Sequence, residues 1–364
     1  MTGLERLLAD PRSLAGARRI GLLTNPTGVT RSLEPSAVAL RRAGLPLERL
    51  FAPEHGIDGS GQAGEAPERG ADSASGLPVT TLYKLDLPAI TRALEGLDAI
   101  IIDLQDVGTR FYTYLSTLHL VLQAAADEQR IIVLDRPNPL GFEEDGPVLD
   151  ERLRSFVGTA ALPLRHGLTL GEAARFLDGG TGLVEVIPCD PDEPFGVNSL
   201  PWVPPSPNLP TLTAAVLYPG LGLLEGSSLS EGRGTTLPFQ MVGGPGVNAP
   251  RLAARLNDLG RPGVRFRPAW FTPSASKHAG ALCTGVQLHL TGSPSGIVET
   301  GLLVLATLVE QVGSLNLPWL SSLLGKPVEA KDITTAAIPK LCAVWALERA
   351  DLAESWRRAW LYPR

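Results

Sequence analysis

The chain has 364 residues, of which 44% are hydrophobic and 19% charged, the balance of a folded globular protein with about two domains at roughly 150 residues each. A net charge of -6 and a pI of about 5.5 exclude an electrostatic footprint for nucleic acid or for an anionic membrane surface. Three cysteines without C-x-x-C spacing exclude a disulfide framework and a zinc knuckle, while 39 glycines and 32 prolines exceed average usage and demand many shaped loops.

The N-terminus carries Glu5, Arg6 and Asp10 and no long apolar region, so no signal peptide is read. No uncharged apolar run reaches the ~18 residues of a membrane span, and the expectation is a cytoplasmic protein. The first half alternates short, doubly apolar runs with amphipathic stretches, the pattern of a parallel sheet covered by helices on both faces. Strands are predicted at Ile20 to Leu23, Leu47 to Phe51, Val79 to Leu82, Ala99 to Ile102 and Ile131 to Leu134. Helices are predicted at Glu34 to Ala43, Pro88 to Glu95 and Thr113 to Glu128. Thr169 and Glu172 form a capping box that opens a further helix to Leu177, which Gly179-Gly180 stops before a strand at Leu183 to Ile187.

About six strands are expected in this sheet. Between Pro201 and Pro210 five of ten residues are proline, which suits neither helix nor central strand and marks a boundary or a rigid, site-lining loop. Beyond it come a glycine-rich loop from Gly220 to Gly234, an alternating strand at Thr284 to Leu290 and an apolar helix at Ile297 to Val309. The fold class is α/β: a parallel-sheet domain over residues 1–209, then a smaller α+β domain over 210–364.

Ligands of an open parallel sheet bind beyond the carboxyl ends of its strands. Those ends read Thr24-Asn25-Pro26-Thr27-Gly28, Ala52-Pro53-Glu54-His55-Gly56, Asp103-Leu-Gln105-Asp106-Val-Gly-Thr-Arg110 and Asp135-Arg136-Pro137-Asn138-Pro139. No G-x-G-x-x-G, phosphate loop or nucleophile elbow follows a strand. Nor do the five histidines make an H-E-x-x-H pair, so neither metal nor cofactor is expected. Carboxylates beside amides, arginines and aromatics remain, the inventory of a sugar site, where hydrolysis needs a carboxylic acid to protonate the leaving oxygen. Glu54 is the best acid candidate, since partial burial behind an apolar strand suits a proton donor. Asp103 and Asp106 come next, with a turn or loop tie as the plain alternative for each. Arg110, Tyr112 and Tyr114 put a cation and two phenols where a loop becomes a helix. The loop Glu225 to Thr236 brings Glu225, Ser230, Glu231 and Arg233.

The strings Pro53-Glu-His-Gly56, Asp103-Leu-Gln-Asp-Val-Gly-Thr-Arg-Phe-Tyr-Thr-Tyr114, Leu134-Asp-Arg-Pro-Asn-Pro139, His166-Gly-Leu-Thr-Leu-Gly-Glu172, Pro205-Ser-Pro-Asn208, Tyr218-Pro-Gly220 and Leu229-Ser-Glu-Gly-Arg-Gly-Thr235 closely resemble the family of exo-β-N-acetylmuramidases of the NamZ type, formerly a domain of unknown function. The resemblance runs from about Gly21 to Tyr362. It implies a Rossmann-like N-terminal domain, a smaller C-terminal domain closing the active-site cleft, and removal of N-acetylmuramic acid from the non-reducing end of peptidoglycan fragments, either a disaccharide or a muropeptide. On that resemblance Glu54 is the catalytic glutamate, with His55, Asp103 and Tyr112 beside it and Gln105 and Arg110 as neighbours. Glu231 and Arg233 face it from the other domain. Asn25, Asp106, Tyr114, Arg136, Asn138, Asn208, Glu225 and Ser230 complete the expected substrate contacts. A bidentate arginine suits the lactyl carboxylate of muramic acid, with Arg110 and Arg233 as candidates. The chain departs from the family pattern at Asp58 and Gln240. A non-catalytic muropeptide-binding or sensor protein using the same cleft is the alternative reading.

Overall fold

The computed structural model describes residues 1–14, 16–196 and 199–364. In chain order the first half runs α1 (Gly3–Ala9), β1 (Ile20–Thr24), α2 (Ser36–Arg42), β2 (Leu47–Ala52), β3 (Val79–Thr81), α3 (Leu87–Leu94), β4 (Ala99–Asp103), α4 (Tyr114–Ala124), β5 (Arg130–Leu134), β6 (Asp145–Val148), β7 (Pro163–Arg165), α5 (Leu170–Asp178) and β8 (Val184–Ile187). The second half runs α6 (Leu212–Leu221), β9 (Met241–Gly244), α7 (Ala249–Asp258), β10 (Val264–Phe271), β11 (Cys283–Leu290), α8 (Ile297–Val309), α9 (Leu317–Leu324), α10 (Ile338–Leu352) and α11 (Glu354–Arg357).

Six strands pair in the order β3-β2-β1-β4-β5-β8, all parallel. Every residue of β1 and β4 is buried because alternate side chains feed opposite cores. Leu23, Ile100, Ile102 and Val133 pack with Leu115 and Leu118 of α4. Ile20, Leu22, Ile101 and Ile132 pack with Leu4 and Leu7 of α1 and Leu40 of α2. The order reverses between β1 and β4, which opens the crevice where ligands of such sheets bind.

The capping box at Thr169 and Glu172 is present, and Gly179 ends α5 in the left-handed conformation. Helix α4 stops at Ala124, short of the expected Glu128. The Gln129 amide donates to the carbonyls of Leu94 and Leu97 while its oxygen accepts the Ala126 N–H, which turns the chain toward β5. Helix α1 and the antiparallel β6–β7 pair have no counterpart in the sequence reading.

The smaller sheet is antiparallel, in the order β10-β11-β9. The division at 209/210 falls in the loop between β8 and α6, yet the last residues return to the first half. The Tyr362 hydroxyl donates to Asp135 Oδ2 at 2.6 Å and the Leu361 N–H to Glu172 Oε1 at 2.9 Å.

Helices α6 and α8 cross at bare backbone. A Cβ on Gly301 would stand 2.1 Å from the Gly220 carbonyl oxygen, and one on Gly220 would stand 2.2 Å from that of Ile297. Gly301→Ala must therefore push these buried helices apart and is expected to cost about 3 kcal/mol. A lowered urea midpoint would register that cost, and an unchanged midpoint would show that the helices separate freely.

Candidate active site

Strand β2 ends at Ala52, and Pro53 and Glu54 follow directly. His55 (φ +74°) and Gly56 (φ +80°) both take the left-handed conformation, an uncommon backbone for histidine, and so reverse the chain. The returning loop is tied to His55. Its N–H donates to the Glu65 carbonyl at 2.9 Å, its carbonyl accepts the Gly61 N–H at 3.0 Å, and its ring Nδ1 lies 2.9 Å from the Gly61 oxygen. This folding delivers the Gly64 N–H to Glu54 Oε1 at 2.7 Å.

Thr113 supplies the other contact. It precedes α4 in the cap position but makes no cap bond with its side chain. Its hydroxyl instead donates to Glu54 Oε2 at 2.6 Å. A hydroxyl both donates and accepts, so this contact survives either protonation state of Glu54. The Tyr83 phenol stands against the same carboxylate, and burial followed by the Glu54 charge pushes it up to about 12, which keeps it a hydrogen-bond donor at working pH.

These groups open into a cavity of about 310 Å³ that also takes residues from the second half. Glu54, His55, Tyr112, Asn208, Glu225 and Arg233 line it, joined by Tyr83, Thr113, Phe156, Ser206, Tyr218, Phe239 and Trp319. Arg233 Nη2 lies 2.8 Å from Glu225 Oε1 and Nη1 lies 3.3 Å from Glu231 Oε1. Its guanidinium covers the Phe239 ring, with 5.2 Å to the centroid. Burial works against the charge, but Glu225 and Glu231 together hold the guanidinium pKa above its ordinary value. Its Nε is buried without a partner among the described residues. Burial pushes the Glu225 carboxyl up; Arg233 opposes this, and the nearby charge of Glu231 adds to it.

Other expected residues lie beneath or behind the cavity rather than in its wall. Asp103 is fully buried and accepts from Arg136 Nε at 2.7 Å, and Arg136 Nη2 also donates to the Val29 carbonyl. Gln105 donates to the carbonyls of Asp106 and Pro137. Asp106 accepts the Gly108 N–H and faces His166 Nε2 at 3.4 Å. Asn25 donates to the Tyr114 hydroxyl, which itself donates to the Pro205 carbonyl, and Asn138 spans Leu168 and Leu140. Each ties one strand-end loop to another. Ser230 accepts the Gly232 N–H, and Glu231 is held between Arg233 and Lys277; Lys277 carried no signal in sequence.

Arg110 requires the largest correction. Expected to grip a carboxylate, it is fully buried and spends its guanidinium on the carbonyls of Pro147, Leu162, Leu323 and Leu324. Asp58 pairs with Ser60 and Arg69 and Gln240 with Thr211, both outside the cavity. Among the described residues no cluster of three or more His, Cys, Asp or Glu could hold a metal ion, and no helix is long and apolar enough to cross a membrane.

The family model described as Exo-beta-N-acetylmuramidase NamZ, N-terminal, matches residues 20–213, and its C-terminal counterpart matches residues 216–362. Peptidoglycan beta-N-acetylmuramidase NamZ of Bacillus subtilis (strain 168) is 42% identical over 317 residues, covering 84% of this chain and 77% of that protein. Crystal structures of two DUF1343 family proteins from Bacteroides fragilis NCTC 9343 superpose with TM-scores of 0.86 and 0.78 at 30% and 31% identity, each covering 100% of this chain and 98% of the other.

Proposed function

The chain belongs to the NamZ family of exo-beta-N-acetylmuramidases, and from that premise we propose that its cavity hydrolyses the β-glycosidic bond of a terminal N-acetylmuramic acid in peptidoglycan fragments. The chain is then a glycoside hydrolase. The observation that carries the residue assignment is Glu54, with both oxygens held, in the wall of a cavity of about 310 Å³. That volume is at the low end for ligand sites and suits one sugar at a chain end.

Glu54 protonates the departing glycosidic oxygen as general acid, then takes a proton from the incoming water. Gly64 and Thr113 fix its orientation through both steps, and Tyr83 and Tyr112 border the sugar. Arg233 is the cation for the lactyl carboxylate. Purified protein is expected to release 4-nitrophenol from 4-nitrophenyl β-N-acetylmuraminide, with turnover of the lactyl-free N-acetylglucosaminide at least about 100-fold lower, as loss of a charge-assisted pair implies. Binding without release would replace the hydrolase by a muropeptide sensor. Equal turnover of both would remove Arg233 from recognition.

Glu225 gives that recognition a pH dependence. Its pKa is raised, so as pH falls it takes up a proton earlier than an ordinary carboxyl and stops competing for Arg233. Inhibition by free N-acetylmuramic acid is therefore expected to tighten as pH is lowered toward the acid range. N-acetylglucosamine should show no such slope, and Glu225→Gln should abolish it. A slope that persists in Glu225→Gln would assign it to another group.

A further inference from the structure

A second, larger space opens directly from the catalytic cavity. It measures about 860 Å³ against about 310 Å³ and shares Ala63, Asn208 and Arg233 with it. Its floor is Met241 of β9 and Phe271 of β10, and its walls are Thr235 and Thr236 on one side and Thr272, Ser274, Ala275 and Ser276 on the other. The walls are braced: Ser274 donates through both N–H and hydroxyl to the Gly234 carbonyl, at 2.8 and 2.9 Å.

The chemistry of this groove is that of a sugar-binding surface. Hydroxyls and amides alternate around a small apolar floor, on which sugar faces pack while their rims are hydrogen-bonded. Among the described residues Arg233 is the only charged one in its lining. Asn208, at the junction, is 8% exposed and lines both spaces. An amide both donates and accepts, and this one sits where the bond to be cut would lie.

Resting on the glycosidase reading above, we propose that the groove binds the leaving saccharide chain. Because it has nearly three times the volume of the cavity that takes one sugar, it holds two or more sugars beyond the scissile bond. Asn208 positions the first of them. The enzyme is thus built for oligosaccharides in preference to the disaccharide, and binding of the remote sugars is spent on the transition state.

The test measures kcat/KM on 4-nitrophenyl β-N-acetylmuraminide and on peptide-free glycan fragments of two and four sugars ending in N-acetylmuramic acid. The tetrasaccharide is expected to exceed the disaccharide by at least about tenfold, the equivalent of one modest hydrogen-bonded contact. Thr236→Trp, which plugs the groove from an exposed wall position, should reduce the ratio of tetrasaccharide to aryl-glycoside kcat/KM by a similar factor. Thr272→Trp does the same from the opposite wall should the first variant not fold. Equal kcat/KM for both fragments, or a ratio that neither tryptophan changes, overturns the groove assignment while leaving the glycosidase intact. Failure to cleave the aryl glycoside overturns the glycosidase itself.

Discussion

Glu54→Gln is expected to lower kcat on a saccharide substrate by about 10³-fold, within the range of a lost general acid, while leaving the thermal midpoint within about 2 °C of wild type. Structure and chemistry separate cleanly at this residue. Glutamine keeps an oxygen for the Gly64 N–H, and its amide can donate to the Thr113 oxygen once that hydroxyl turns. What it cannot supply is a proton for the glycosidic oxygen. The deficit should therefore scale with the leaving group: largest for a sugar alkoxide, smaller for 4-nitrophenolate, which departs with little help. Equal losses on both substrates would mean that Glu54 acts on the sugar ring and not on the leaving oxygen. Near-wild-type activity on the saccharide would remove it from the reaction.

The sheet is legible because its inner strands β1, β4 and β5 are buried on both faces and each apolar run is closed by a polar turn. Glu54 and Arg233 are legible because the motifs around them are long. Burial and long-range return of the chain are not. Asp103, Asp106, Gln105 and Asn138 have the side chains of a sugar site, and only the fold shows that each also bonds within or between the strand-end loops. Thr113 and Gly64 reach Glu54 across 59 and 10 residues of chain, a proximity no local spacing encodes. Tyr83 stands after a three-residue strand with no motif about it. The β6–β7 pair escapes notice because its strands are short and β6 contains Gly146-Pro147.

Arg110→Met is expected to lower the thermal midpoint by roughly 10 °C, from about 4 kcal/mol lost and a few degrees per kcal/mol for a chain of this size. Arg110 Nη1 donates to the Pro147 and Leu162 carbonyls at 2.9 and 2.8 Å, and Nη2 to those of Leu323 and Leu324 at 3.2 and 2.6 Å. The first pair belongs to the β6–β7 region and the second closes α9, whose C-terminal carbonyls favour a cation. Burial pulls the guanidinium down to about 9, still well above neutral pH, so the charge persists and these oxygens solvate it. Methionine fills much of the volume but leaves four carbonyls without this donor. Lysine is no remedy, because one ammonium cannot reproduce a planar fork reaching two elements. Gly325 is coupled to the same site: its φ is +65°, and a Cβ there would lie 2.5 Å from Arg110 Nη2, so Gly325→Ala should destabilise in the same direction. The competing role, a clamp on the substrate carboxylate, makes the opposite forecast for Arg110→Met: an unchanged midpoint with weakened discrimination between muraminide and glucosaminide. Measuring both quantities on one variant decides whether this arginine ties the two halves of the chain together or touches the sugar.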